Sequence, residues 1–572
     1  MSLLSENKFN FLKKFTLVDV IIVLAFALFA SLYQINRVAG NNFFQFYASD
    51  SESIACFAAA IDHPELFKED EVLANPDNFS FYSTLDIPFI RAITKLTKNY
   101  ASGYLSLVGL LIFLQAFGFY LLGRALFQNR YWAALLAVVT LVHVPLALGD
   151  FWGMYQDPLP RITFQTALPY ILTAVFYWRF KPAMSLLLLG ITGLCMYLHF
   201  GSVPTWGLSI WLGLRLFLPA SWGLRKRIGF MFLAGIIFLL GSLPFLINYF
   251  DKTHSQSPID DINLISAILR YRLPDVFFDI SLSFTKFISN LTFLRVSLFG
   301  IVSAIYVFLR YRDERKKIGL IGLWILGILI TAVIIPFILQ LNIKVLTQNG
   351  TLIRNLRYLF PLMLIFCLWP FVVISRDSPS KRNRKIALIA GFILVLGWSS
   401  KQMYKHIVYL NDKGYLLPNA AKTRNDEIID VLNAVKQITP AGSKILSLAS
   451  FSDLTIRYYA LRPLVYSFKD AASFSFSNNH AELIKWYEKA KEANNVVKYK
   501  QDDISKINKI LSLARRFKAE YLIINRSQFL DSFISSSPDI LYRNDLYVLI
   551  KIDNDPDKNR LKQNWREDNE RL

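Results

Sequence analysis

The chain has 572 residues, of which 54% are hydrophobic and only 18% charged, with a formal net charge of +21. The mean hydropathy is +0.35. An ordinary soluble enzyme is excluded by the grouping of the apolar residues. They come in blocks of about 17 to 25, the length that crosses a ~30 Å hydrocarbon core. Such blocks are too long and too evenly apolar for barrel strands, so the spanning elements are helices, whose backbone polar groups are satisfied within the segment. Nucleic-acid binding is excluded by where the basic residues lie, because the excess falls in short loops between alternate blocks.

In chain order, the apolar blocks predict about eleven transmembrane helices, near residues 15–34, 101–126, 131–148, 161–179, 183–199, 203–219, 228–250, 291–309, 318–340, 352–374 and 386–403. The first block is long and has no small-residue cleavage site after it, so it reads as a retained anchor. With this count, Lys8, Lys13 and Lys14, Arg124 and Arg130, Arg179 and Lys181, Arg225 to Arg227, the run Arg310 to Lys317 and the run Arg376 to Lys385 all fall on one side. That side is cytoplasmic by the positive-inside rule, and it includes the N-terminus. The expected location is the cytoplasmic (inner) membrane of a bacterium.

The opposite face receives the long loops and everything after about residue 404. The first loop, 35–100, carries two amphipathic patterns, Ser51 to Ile61 and Leu85 to Leu96, suited to the membrane interface. After residue 404 the apolar runs shorten to strand length, at 444–449, 519–525 and 546–552. Helical patterns at 426–438 and 503–517 lie between or before them. The expectation is a transmembrane domain over 1–403 and an extracytoplasmic α/β domain over 404–572. There is no GxGxxG after a strand and no GxxxxGK[ST], so nothing indicates nucleotide binding. Three cysteines, Cys56, Cys195 and Cys367, form no framework, and no Cys/His cluster suggests zinc.

The polar stretch at Asp50-Ser-Glu52, just past the first span, resembles the first-loop acidic motif of the GT-C class of integral membrane glycosyltransferases. The inside N-terminus, the interfacial helices of the first loop and the outer C-terminal domain extend the resemblance over nearly the whole chain. The stretch Arg462 to Lys469, with Trp486 and Tyr487, is similar to an uncharacterised bacterial branch of GT-C-like proteins. No WWDYG-like signature occurs, which argues against an asparagine-linked oligosaccharyltransferase and its metal dependence. The resemblance implies a polyprenyl-phosphate sugar as donor substrate, an unidentified acceptor and membrane lipid as surroundings; no divalent metal is predicted.

Such a transfer needs a carboxylate to take the acceptor's proton and cations to hold a departing lipid phosphate. Asp50 is the expected base, with Glu52 beside it. The plainer alternative has Asp50 or Ser51 cap a helix, with Glu52 in its first turn. Asp150 and Asp157 are candidates for holding acceptor or sugar and Arg161 stands close to the phosphate plane, with Trp152 and Tyr155 as a stacking surface; the alternative is that Asp157 and Pro158 start a helix and Arg161 snorkels to headgroups. His199, at the end of a span, is a candidate donor to a sugar or phosphate. Arg354 and Arg357, at i and i+3, are candidate phosphate ligands. Arg270 and Arg272 are a second cationic option, and Lys344 a weaker third. Asp19, inside the first span, reads as structural. Asp453, Arg457, His480 and Trp486 could touch an acceptor, but a folded lid or docking module is the preferred explanation of them. Two other functions are the alternatives: a transporter or flippase for a lipid-linked substrate, which charges gathered at the outer ends of spans and not at the midplane disfavour, and a catalytically inactive scaffold.

Overall fold

A computed structural model describes residues 15–38, 43–178, 181–253, 262–342, 350–412, 418–497, 504–528 and 539–553. Lys8, Lys13, Lys14, Arg179 and Lys344 lie outside the described residues. The chain divides into two compact units. The first comprises Met1–Asn36, Ser106–Asn248 and Leu273–Asp412; the second comprises Arg37–Leu105, Tyr249–Arg272 and Lys413–Leu572. The first loop is therefore grouped with the C-terminal segment, a partition different from a cut at residue 403.

Among the described residues, eight helices are long and apolar enough to cross a membrane: Leu17–Val38, Tyr100–Phe127, Pro182–His199, Leu224–Asp251, Leu291–Arg310, Arg312–Leu341, Arg354–Asp377 and Lys381–Val408. Their burial separates them into two kinds. Only 22% of the apolar window of Leu224–Asp251 is buried, against 78% for Arg354–Asp377. The first therefore turns leucine, isoleucine and phenylalanine side chains outward, which is stable only in an apolar solvent, and the second is the packed centre of its unit.

The other three expected spans are helical but fall short. Pro160–Trp178 carries Gln165 and an internal Pro169, and Val203–Leu214 has only 12 residues. The expected span at 131–148 needs the larger correction. Its helix, Arg130–Leu141, starts on Asn129, whose side chain accepts from the Tyr131 and Trp132 amides. It stops at Val142, where ψ turns to 127°. Pro145 follows, and a short hairpin takes over, β1 (Val144–Pro145) against β2 (Phe151–Trp152), paired antiparallel. Pro145 has no amide hydrogen to continue a helix and pushes the residue before it toward extended backbone.

In the second unit a four-stranded sheet runs in the order β3 (Ile445–Ser447), β4 (Tyr521–Asn525), β6 (Tyr547–Lys551), β5 (Ile540–Arg543). β3 and β4 are parallel and the other pairs antiparallel. β3, β4 and β6 fall on the three short apolar runs. Ile428, Val431, Leu432 and Val435, at helical spacing on Pro418–Ile438, pack on Ile445, Ile523 and Leu549 of the sheet. Phe44, from the first loop, is buried in the same core. The two amphipathic patterns of that loop are the helices Ser49–Asp62 and Asp86–Thr97.

Candidate functional site

In the first unit, the β1–β2 hairpin carries Asp150 at its turn. Leu148 and Gly149 take positive φ values of 57° and 69° to make that turn. Gly153 follows β2 at φ 95°, and a Cβ there would lie 2.0 Å from the Val142 carbonyl oxygen, so only glycine fits. The turn delivers Asp150 into a buried polar cluster. One guanidinium nitrogen of Arg357 sits 3.2 and 3.1 Å from the two Asp150 carboxylate oxygens. The other donates to Ser202 Oγ at 3.1 Å and to the Tyr358 hydroxyl at 2.9 Å. Arg161 Nε lies 3.9 Å from Asp150. Both members of the central pair are almost inaccessible, Asp150 at 4% and Arg357 at 2%.

Ser202 is the hub of this cluster. Its Oγ accepts from the Tyr358 hydroxyl at 2.7 Å and meets His199 Nδ1 at 2.7 Å. Asn355 ties the cluster onward to the Gly201 carbonyl and to Thr205, and Thr331 donates to Thr205 from a π-helical turn, Ile330–Ile334. Residues 354–358 form a 3₁₀ helix, in which i and i+3 eclipse. Arg354 and Arg357 accordingly reach the same hairpin, Arg354 through the Leu148 carbonyl at 2.6 Å. Asp150, Arg161, His199, Arg354 and Arg357 are thus brought together. Asp157 is buried nearby in sequence, at 3% exposure.

Trp152 and Tyr155 do not offer a stacking surface. Trp152 is fully enclosed, donates to the Thr140 carbonyl at 3.0 Å and packs edge-on against Phe119, while Tyr155 is also buried. Asp19 is ion-paired with Arg124 and takes a hydrogen bond from Tyr120, which accounts for it structurally.

In the second unit, the helix Ser49–Asp62 begins after Ala48, which supplies no side-chain cap. The expectation that Asp50 or Ser51 caps the helix is therefore corrected: both lie within its first turn. On a helix, residues two apart diverge by about 200°, and the two acids have opposite environments. Asp50 has a carboxylate side chain 42% accessible and accepts from Lys469 Nζ at 2.7 Å. Lys469 also donates to Ser49 Oγ at 2.8 Å. Glu52 is buried and accepts from Ser452 Oγ at 2.8 Å. Arg272 ends the helix Ile262–Arg272 within the field of Asp50. Burial pulls its guanidinium down to about 10, against the pull of the Asp50 carboxylate. Its Nη1 is buried without a hydrogen-bond partner among the described residues. Arg270, on the same helix, is exposed.

Elsewhere in the same unit lies an ion cluster that the sequence does not reveal. Arg457 is 2% exposed and pairs with Asp70 at 2.8 Å and Asp470 at 2.5 Å. Asp70 also accepts from the amides of Val72, Leu73 and Leu464. Burial, helped by the Asp470 carboxylate, pushes part-buried Asp453 up to about 6. Arg457 thus joins the first loop to the C-terminal segment, and Trp486, buried and donating to the Ser467 carbonyl, belongs to the core. No spacing could announce a pair separated by 387 positions. Among the described residues, no three His, Cys, Asp or Glu side chains group as a metal site.

No protein-family model matches the chain, and no curated protein matches it. Among solved structures, the chain is similar to ArnT from Cupriavidus metallidurans in the apo state. The likeness covers 94% of this chain and 98% of that one, at 12% identity and a TM-score of 0.44. It is also similar to the same protein bound to undecaprenyl phosphate, over 93% and 97% of the two chains, at 13% identity and a TM-score of 0.36.

Proposed function

We propose that the chain is a membrane glycosyltransferase that moves a sugar from a polyprenyl-phosphate donor to a hydroxyl acceptor on the outer face of a bacterial cytoplasmic membrane. The carrying observation is the Asp50 cluster. A half-accessible carboxylate in the first loop stands with an amine, Lys469, at 2.7 Å and in the field of a partly desolvated guanidinium, Arg272. A base and two cations are what this chemistry asks of a protein. The first-loop acidic motif and the many apolar helices support the same reading.

In the proposed step, the acceptor oxygen attacks the anomeric carbon and gives its proton to Asp50. The bond between that carbon and the phosphate oxygen breaks, and the electron pair leaves with the polyprenyl phosphate. Lys469 and Arg272 hold the departing phosphate, a guanidinium being suited to two phosphate oxygens at once. Lys469 also holds the Asp50 carboxylate in place until the acceptor arrives. Glu52, held by Ser452, fixes the helix that carries Asp50. Asp150, Arg161, His199, Arg354 and Arg357 hold the hairpin of the first unit, with Asp157 on the adjoining segment, and Arg270 faces the lipid headgroups. The scheme calls on no resident cofactor.

The test is release of polyprenyl phosphate by the purified protein from a panel of polyprenyl-phosphate sugars, with Asp50→Asn as the comparison. Wild-type turnover with an inactive, normally folded Asp50→Asn protein is the expected result. Equal turnover by the two proteins removes Asp50 from the base role; no turnover by either leaves the scaffold reading.

A further inference from the structure

A second feature of the first unit lies away from any carboxylate. The helices Leu291–Arg310, Arg354–Asp377 and Lys381–Asp412, with Val139 from Arg130–Leu141, enclose a cleft of ≈ 260 Å³. Its walls include Val296, Phe299, Leu364, Leu368 and Trp398. Arg295, Lys401 and Gln402 also line it. Arg295 is in the second turn of its helix and Lys401 in the late part of a helix that runs the other way, so the two cations share one end of the cleft.

Both cations are exposed and stand toward a span end, where a long basic side chain reaches the headgroup layer without the cost of about 2.5–3.5 kcal/mol that a charge at a span centre carries. Arg295 and Lys401 have no hydrogen-bond or ion-pair partner among the described residues. Gln402 is only 7% exposed. An apolar trough ending in two cations and a buried amide donor matches one chemistry, a lipid with an anionic head and a hydrocarbon tail.

We propose that this cleft seats an anionic phospholipid as a resident component of the protein. Its phosphate lies between Arg295 and Lys401, the Gln402 amide donates to a headgroup oxygen, and one acyl chain lies along Phe299, Leu364 and Trp398. No carboxylate or imidazole is among the lining residues. The cleft therefore holds its lipid without a base to react it, which separates it from the Asp50 cluster and from a carrier substrate whose phosphate must meet one.

The test uses the full chain in detergent, with native mass spectrometry and thermal shift against added phosphatidylglycerol or phosphatidylcholine. At about 1 kcal/mol for each cation, phosphatidylglycerol binds ~30-fold more tightly than phosphatidylcholine. R295A/K401A loses that preference, and R295K/K401R keeps it. Leu364→Trp, which fills the cleft and leaves both cations, releases the lipid. Equal binding of the two phospholipids, an unchanged preference in R295A/K401A, or full displacement of phosphatidylglycerol by an equimolar polyprenyl phosphate would overturn the proposal. The last result would make the cleft a carrier site instead. Because none of these readouts needs turnover, their failure is distinct from failure of the glycosyltransferase reading.

Discussion

The Asp150–Arg357 pair of the first unit and the Asp50–Lys469 pair of the second are both carboxylate–cation contacts near 3 Å, yet they stand in opposite surroundings. Arg357 has four of its donor contacts taken by Asp150, Ser202 and Tyr358, and both partners are shut from solvent. Asp50 keeps 42% of its side chain accessible and Lys469 25%. A buried pair is held because losing one partner strands a charge, whereas an open pair gains little stability and stays available to a third party. The same contrast recurs inside the second unit, between the enclosed Arg457 bridge and the open Asp50.

Asp50→Asn breaks the comparison most sharply if it is right. Loss of a positioned base lowers transfer by about 10²–10⁴, while unfolding in detergent shifts by under about 1 kcal/mol because the ion pair is open. Arg357→Leu and Arg457→Leu should show the reverse. Each strands buried carboxylates and lowers stability by about 3–5 kcal/mol, read from chemical or thermal unfolding. Equal stability of either variant and wild type would show that its site is wetter than the structure has it. Gly153→Ala should cost about 2–3 kcal/mol, since it adds a Cβ against backbone at a positive φ.

Lys469→Ala sharpens the comparison from the open side. It should raise the donor KM about tenfold, roughly 1.4 kcal/mol, and barely move the unfolding midpoint; a change in stability without a change in KM would make Lys469 structural. The smallest expected effect is on pH dependence. Asp453 has its folded pKa raised from the ordinary 3.8 to about 6. The folded chain therefore holds a proton that the unfolded chain releases, and stability is lost as pH rises through that range. Lowering pH from about 7 to 4 should stabilise the second unit through this group. Asp453→Asn should flatten that slope, seen in unfolding midpoints measured across the range.

Much of the helical part was legible because hydrophobic length is a local property. Each of the eight long helices coincides with an apolar block, and the period-3.6 patterns of the first loop fall on Ser49–Asp62 and Asp86–Thr97. The misread span at 131–148 shows where that signal fails. His143 and Pro145 sit in an apolar run that hydropathy treats as continuous, but the backbone there bends into a hairpin whose Gly153 leaves no room for a side chain. β5 was missed because Ile540–Arg543 is a short, partly exposed strand at the sheet edge, without the apolar run that marks β4 and β6.

Sequence alone determined that this is a many-helix membrane chain, that its acids and arginines gather near the ends of the spans, and that strand-length runs follow the last helix. Those features depend on composition within windows of a few turns, which burial in lipid or in a core selects directly. Only the tertiary structure decided which charges meet. Asp50 and Glu52 are two residues apart and part company on a helix, whereas Asp70 and Arg457, Asp150 and Arg357, and Arg295 and Lys401 come together from distant segments. Coulomb attraction and desolvation act through space, so the role of each charge follows from its neighbours in the fold and not from its place in the chain.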